Sequence, residues 1–384
     1  MKIAFNTIRQ YNFPTIIRFG AGAIKELPAH LEAQGLNKVF IVTDPNVEAL
    51  GFFRDILNDL AGNRISTEVF SDIHKNPVKS DVIKGGDVYK KTGRDCIIGI
   101  GGGAAMDVAR AIALRIHHHR DLFDYDDLIG GDKYVTEDVP YFITIPTTSG
   151  TGSEVGRSAV ISEDDTHRKR ILFSPKLLAK IVFADPQLVM ELPPFITAAT
   201  GMDALTHNIE AFLAKGFHPL CDGIALEGLS IINNSILDAV NNPDLESRGK
   251  MMIASLMGAV AFQKGLGVVH SLAHPLSSLL DTHHGLANAV NLPYGMRFNI
   301  SGNEDRFRRI ARAMELKKET GEAVVQRLFE INRDTGLPVK LSAIGVKQEH
   351  IEPLSALALA DFCHPNNPKP VTLNDFRNLY TEAF

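Results

Sequence analysis

The sequence predicts an α/β half followed by an all-helical half, with the boundary near residue 190. Three observations predict it. Short β-branched runs alternate with helical patterns up to that point. A run of glycines joins one of those strands to the helix after it. Beyond LPPF (192–195) strand-like runs become scarce and long helical patterns take over. Strand, turn, helix, strand is the order of a parallel sheet covered by helices, with ligands at the carboxyl ends of the strands. The expected domains are therefore 1–190 and 191–384.

In chain order, KVFIVTD (38–44) reads as a strand ending in an acid, and STEVFSDI (66–73) as a second strand. DVIKGGDVYKKTG reads as a helix, and DCIIGIGGG (95–103) as a third strand running into the glycine turn. AAMDVARAIALRIHHH has helical periodicity. The triple histidine 117–119 falls at its end, where partly charged imidazoles favour the helix dipole and solvent over a metal tract. YFITIPTT (141–148) is the next strand and KIVFADP (180–186) the last of this half. Pro193 and Pro194 suit a helix entry, where a missing N–H costs little. ITAATGMDALTHNIEAFLA, LEGLSIINNSILDAV and SRGKMMIASLMGAVAFQ then read as successive helices.

At 384 residues the chain exceeds one typical core, which agrees with two domains. A hydrophobic share of 45% with 22% charged residues is that of an ordinary globular protein. Forty basic against forty-five acidic side chains give a formal charge of −5, which argues against a nucleic-acid or anionic-membrane partner. MKIAFNTIRQYNF has no apolar signal region, and MMIASLMGAVAFQKGLGVV is broken by Gln263 and Lys264. Cys96, Cys221 and Cys363 are few and odd in number, as reduced thiols would be. The expectation is a cytoplasmic protein.

Two groups of residues carry chemistry. In GMDALTHNIEAF, Asp203 and His207 stand four apart, so on a helix they share one face. His270 in GVVHSLAHPL and His284 in THHGLANAV can close a four-ligand site from neighbouring helices. Imidazole and carboxylate suit a divalent metal such as iron or zinc without any cysteine. The second group is upstream. Gly101, Gly102 and Gly103 follow a strand and open a helix, so their backbone N–H groups can approach a pyrophosphate, or simply make a tight turn. The spacing is not GxGxxG. PTTSGTGSEV (146–155) adds a second loop, rich in hydroxyls, after a strand. Asp44 ends the first clear strand, where a carboxylate can accept from ribose hydroxyls and repel a 2′-phosphate, favouring NAD over NADP. It can equally cap the turn TDPNV.

These motifs resemble the iron-dependent (group III) alcohol dehydrogenases over nearly the whole chain. The resemblance is carried by GGG and Asp107 at 101–107, PTTSGTGSEV, GMDALTHNIEAF, GVVHSLAHPLSSLLDTHHGLANAVNLP (267–293) and NNPKPVTLNDFRNLY. It implies the dehydroquinate synthase-like fold, an α/β dinucleotide-binding domain followed by a helical metal-binding domain, with the active site in the cleft between them. It implies that Asp203, His207, His270 and His284 bind the metal and that His274 moves the proton. His283 has no counterpart and reads as solvent-facing or as a neighbour of the ligands. The cofactor motif carried over places Gly101 to Gly103 and Asp107 with the pyrophosphate loop, Thr147, Thr148 and Thr151 around adenosine and ribose, and Lys169 on the nicotinamide ribose. Ala104 departs from the family's usual serine and removes one hydroxyl donor.

The function implied is interconversion of a small primary or secondary alcohol and its aldehyde or ketone, using NAD and Fe2+, with Zn2+ an alternative ion. A Lewis-acidic ion would ease loss of the alcohol's proton, and hydride would pass to the nicotinamide. Relatives of this family are often dimers or larger, so a homo-oligomer is expected. Glycerol-dehydrogenase-like and dehydroquinate-synthase-like zinc enzymes share the architecture. The latter needs a basic pocket, and no lysine and arginine cluster lies beside the ligands. A metallohydrolase would not need the two nucleotide loops, and a non-catalytic NAD-binding regulator would not need all four ligands.

Overall fold

The structure, a computed structural model, describes Phe13 and residues 15–384. Residues 1–12, on which the reading of the N-terminal stretch rests, lie outside the described residues. The chain divides into two compact units, one ending at Glu191 and the other comprising Phe13 and Leu192–Phe384.

The first unit contains β1 (Ile16–Phe19), β2 (Lys38–Val42), β3 (Ser66–Phe70), β4 (Cys96–Gly101), β5 (Tyr141–Pro146), β6 (Ser158–Ser162), β7 (Lys169–Phe173) and β8 (Ile181–Ala184). Its helices are α1 (Leu27–Ala33), α2 (Pro45–Glu48), α3 (Gly51–Gly62), α4 (Lys79–Thr92) and α5 (Gly103–His117). Six strands form a parallel sheet in the order β1-β8-β5-β4-β2-β3, and β6 and β7 form a separate antiparallel hairpin. Both sheet faces are covered, so β4 is buried at every position and reads as an unbroken apolar run. Val39, Ile41, Ile98 and Ile100 pack with Leu31, Phe53 and Leu60 on one face. Phe40, Val42 and Ile97 pack with Val82, Val108 and Ile112 on the other.

This arrangement creates a switch point. The chain leaves β2 for α3 on one face and leaves β4 for α5 on the opposite face, so the loops after these adjacent strands diverge and open a crevice at their carboxyl ends. Asp44 and Gly101 sit at its two lips.

Strands are shorter than the apolar runs suggest. β3 stops at Phe70 rather than 73, because Phe70 pairs with Val42, the last residue of β2, and the ladder ends there. β1 and the β6–β7 hairpin escape the sequence reading; their four- and five-residue runs mix Arg, Lys and Ser with apolar residues. The triple histidine needs a correction. His117 and His119 are exposed, but His118 is 4% exposed. The backbone turns extended at His118, which folds the ring back onto the end of α5. Its Nδ1 donates to the Leu114 carbonyl (2.8 Å) and its Nε2 accepts from the Glu137 N–H (3.1 Å). Burial holds its pKa below the usual value, consistent with a neutral ring that both donates and accepts.

The second unit is helical: α6 (Pro194–Leu213), α7 (Pro219–Asn241), α8 (Leu245–Ala261), α9 (Val268–Leu280), α10 (His284–Asn299), α11 (Glu304–Ala313), α12 (Gly321–Asp334), α13 (Ile351–Leu359) and α14 (Leu373–Ala383). No single helix among the described residues is long and apolar enough to cross a membrane. Helix α6 is central, packed by α7, α8 and α10. Close helix approach requires Gly228 on α7, where an added Cβ would lie 2.2 Å from Asn208 Oδ1. Asn208 cannot move aside, because its Nδ2 donates to the carbonyls of Ala204 (2.8 Å) and Ala254 (3.0 Å).

Gly228→Ala is expected to destabilise the helical unit by about 1–3 kcal/mol through overpacking. The measurement is urea unfolding followed by far-ultraviolet circular dichroism; an unchanged midpoint would show that α7 can shift away from Asn208.

Candidate functional site

Helix α6 is buried at every residue from Thr197 to Leu213. A helix without a solvent face must satisfy each polar side chain inside the protein. Asp203, His207 and Glu210 fall at i, i+4 and i+7, so they project from one side of it. Helix α9 contributes His270 and, one turn on, His274. His284 opens α10.

The structure brings Asp203, His207, His270 and His284 together. Asp203 Oδ1 lies 3.9 Å from His207 Nε2, 3.9 Å from His270 Nε2 and 3.5 Å from His284 Nε2. Among the described residues its ion-pair neighbours are these imidazoles, with no lysine or arginine. Bonds of about 2.1 Å to one tetrahedral ion would separate the donor atoms by about 3.4 Å; the ligand atoms of Asp203, His270 and His284 all lie within 4.8 Å of one another, and His207 reaches Asp203 from one turn along α6. The rings of His207 and His270 stack at 4.8 Å, and Phe262 closes against His207 at 5.1 Å.

Further polar residues, which the sequence reading did not assign, complete the centre. Asn288 Nδ2 donates to Asp203 Oδ1 (2.7 Å) and lies 3.3 and 3.2 Å from His270 Nε2 and His284 Nε2. It stands four residues after His284, a spacing that could have signalled it. Glu210 Oε2 lies 2.7 Å from His270 Nδ1. Asp361, from the turn after α13, lies 2.7 Å from His274 Nδ1 and also accepts from Ser271 Oγ (2.6 Å) and Cys363 N–H (2.9 Å). Burial pushes the Asp361 pKa up, but His274, Ser271 and the Cys363 N–H outweigh it and hold the carboxyl well below the usual range. An anionic partner places a proton on His274 Nδ1, so in the neutral ring the acceptor nitrogen is Nε2. No periodic signal links residues 274 and 361, so this pair was not legible. His283 is half-buried, and its Nδ1 accepts from the Leu286 N–H as the N-cap of α10, rather than facing solvent.

In the α/β unit, Gly101 has φ 151 and an added Cβ there would meet Ala105 at 2.7 Å. A Cβ on Gly103 would stand 2.9 Å from Thr151, and one on Gly102 3.4 Å from Thr148. Gly102 is the N-cap of α5, and no side chain caps that helix. The glycines thus let Thr148 and Thr151 pack against the uncapped start of α5, and the N–H groups of such a helix N-terminus form a cradle suited to a pyrophosphate. Thr147 continues the ladder, its N–H donating to the Gly101 carbonyl (3.0 Å). Asp44 Oδ1 caps α2 through Asn46 and Val47 N–H (2.9 and 3.2 Å), while Oδ2 lies 3.5 Å from where a Gly101 Cβ would stand. One oxygen therefore does the capping and the other faces the cradle.

Asp107 anchors the loop that follows β5. Both its oxygens are committed to the protein: Oδ1 accepts from Arg110 (3.0 Å) and Ser153 Oγ (2.7 Å), and Oδ2 from Val160 N–H (3.0 Å). Arg110, fully buried, also donates to Ser153 Oγ and to the carbonyls of Ser153, Ser158 and Leu177. This pair staples the PTTSGTGSEV loop and the β6–β7 hairpin to α5, and so acts beneath the cradle. Burial raises the Asp107 pKa, against the opposing effects of Arg110, Ser153, the Val160 N–H and, least, Lys169, which opens β7.

The comparisons with known proteins agree across the whole chain. Residues 14–186 match the family described as iron-containing alcohol dehydrogenase, and 197–384 match the Fe-containing alcohol dehydrogenase family, C-terminal. The chain is 39% identical to a 4-hydroxybutyrate dehydrogenase from Cupriavidus necator, covering 96% of this chain and 98% of that one. It is 34% identical to an NAD-dependent methanol dehydrogenase from Bacillus methanolicus, over 95% and 97%. A crystal structure of 1,3-propanediol oxidoreductase superposes with a TM-score of 0.93 at 31% identity, over 98% and 100%.

Glu154, in the PTTSGTGSEV loop, has both carboxylate oxygens buried without a hydrogen-bond partner, and burial pushes its pKa up to about 7. A raised acid binds its proton more tightly when folded, so stability falls as pH rises from the unfolded value of 4.5 through about 7. Glu154→Gln, which mimics the protonated form, is expected to stabilise the protein at pH 8 by on the order of 3 kcal/mol and to change little at pH 5. Thermal midpoints of both proteins across this range check it; parallel pH profiles would refute it.

Proposed function

The chain belongs to the iron-containing alcohol dehydrogenase family, and from that premise we propose how its residues divide the work. Its activity is oxidoreduction between an alcohol and its carbonyl compound. In our reading, domain 191–384 holds Fe2+ on Asp203, His207, His270 and His284, and domain 1–190 holds NAD on Gly101, Gly102, Gly103, Thr147, Thr148 and Thr151. The convergence of three imidazole nitrogens on Asp203 Oδ1, at 3.5–3.9 Å in a site without lysine or arginine, carries the reading.

When bound, the ion supplies Lewis acidity that eases loss of the alcohol's proton, and the nicotinamide supplies the hydride acceptor. His274 takes up and returns that proton at Nε2, since Asp361 holds its Nδ1 as the donor. The glycine cradle and the N-terminus of α5 bind the pyrophosphate through backbone N–H groups, so Ala104 in place of a serine leaves the main donors in place. Asp44 Oδ2 accepts from ribose hydroxyls and its charge disfavours a 2′-phosphate, which selects NAD over NADP. Lys169 supports the cofactor from the rim of the hairpin. The relatives act on 4-hydroxybutyrate, methanol and 1,3-propanediol by name, so small alcohols and aldehydes are the substrates to try. A cytoplasmic homo-oligomer belongs to the same proposal, supported by three buried free cysteines for the compartment and by family resemblance for the assembly.

Protein loaded anaerobically with Fe2+ or Zn2+ is expected to oxidise NADH, and NADPH much more slowly, against a panel of small aldehydes and ketones. Asp44→Ser, which keeps the helix cap but removes the charge, should narrow the NADH preference; an unchanged ratio would remove Asp44 from cofactor selection. His274→Ala is expected to lower turnover roughly 10²–10⁴-fold while bound metal, measured by elemental analysis, stays intact. Loss of the metal in that variant would make His274 a ligand instead.

A further inference from the structure

We infer that Glu210 is a positioning residue of the metal centre, one that sets metal affinity by fixing the tautomer and orientation of His270. The inference rests on the metal reading above and adds a residue to it. Glu210 lies on the same side of α6 as Asp203 and His207 and is 1% exposed. Its two oxygens have different tasks. Oε1 accepts the Val269 N–H at 2.7 Å, and Oε2 lies 2.7 Å from His270 Nδ1 and 3.4 Å from the His270 N–H.

The first task is capping. Gly267, the N-cap of α9, offers no side-chain acceptor, so the first N–H groups of that helix need partners from elsewhere. Glu210 provides one, and Asn367 Oδ1 accepts from Val268 at 3.2 Å. Position 267 must be glycine for this approach: an added Cβ would lie 2.9 Å from Glu210 Oε1 and 2.8 Å from Asn367 Oδ1.

Capping alone needs no contact with the imidazole. The second oxygen is placed on the imidazole, and an ionised carboxylate can only accept, so Nδ1 must carry the hydrogen. The lone pair of His270 is then on Nε2, the nitrogen that lies 3.9 Å from Asp203 Oδ1 and 3.3 Å from the Asn288 amide. A ring turned about χ2 would lose the Glu210 bond and withdraw the lone pair from the centre. The negative charge behind the ring also makes Nε2 a stronger donor to a cation. One helix thereby delivers two ligands and the group that orients a third.

The test uses metal-free wild type, Glu210→Gln and, as a second variant should the first not fold, Glu210→Asp. Each is titrated with Co2+ against a chromophoric chelator. The expected result is a roughly 10–100-fold loss of Co2+ affinity with an altered visible absorption envelope. In a His270→Ala background the same substitution should cost no further affinity, because its effect passes through that ring. Wild-type affinity in the variant, or an equal loss in both backgrounds, would overturn the inference and leave Glu210 a helix cap only. Asp203→Ala separates this from the parent reading: if it binds Co2+ as the wild type does, the metal site itself is wrong and Glu210 falls with it.

Discussion

A carboxylate buried at the centre of a helical bundle, Asp203, is the constraint around which the second unit is organised. An unpaired buried charge costs several kcal/mol, and no lysine or arginine among the described residues comes to it. Three imidazoles and an amide converge on one of its oxygens instead. A divalent cation would complete this arrangement, as proposed above, and would give the polar face of α6 a partner in a helix with no solvent side.

The polar residues behind the ligands follow from the same constraint. His270 and His274 stand one turn apart on α9, and each has its Nδ1 bonded to a different carboxylate, Glu210 or Asp361. Both rings consequently present Nε2, but at different places: His270 Nε2 is within 3.9 Å of Asp203, while His274 packs its ring against His284 and Phe362. Two like residues thus acquire different surroundings from partners that are far away in sequence. Asp361 also ties the turn at 361–364 to α9 through Ser271, whose Oγ accepts from His364 N–H at 2.9 Å.

The α/β unit solves a comparable problem with a buried ion pair. Arg110 and Asp107, three residues apart on α5, use nearly all their hydrogen-bonding capacity on the loop 153–160. Fixing that loop places Thr148 and Thr151 opposite the glycines, which would shape the proposed cradle in advance of a cofactor. Pre-organisation of this kind is what lets backbone N–H groups bind a phosphate without first paying to order a flexible loop.

Local pattern was enough for much of this. Apolar runs leading into glycines or threonines located β4, β5 and the loops after them, and the 203/207 spacing marked one face of α6, because helix and strand periodicity are properties of neighbouring residues. The short strand β1 and the hairpin β6–β7 were not legible, since their stability comes from pairing with distant strands or with each other rather than from their own composition. His118 looked solvated by position and is buried by a backbone turn. Asp107, read from the sequence as part of a cofactor motif, also anchors the loop 153–160, which no local pattern signalled. By itself, then, the sequence determined the change from an α/β half to a helical half and marked candidate ligand types, both of which are encoded within a few residues. Only the tertiary structure decided which carboxylate backs which histidine, because hydrogen bonds such as Glu210 to His270 and Asp361 to His274 depend on helices packed in three dimensions and leave no periodic trace along the chain.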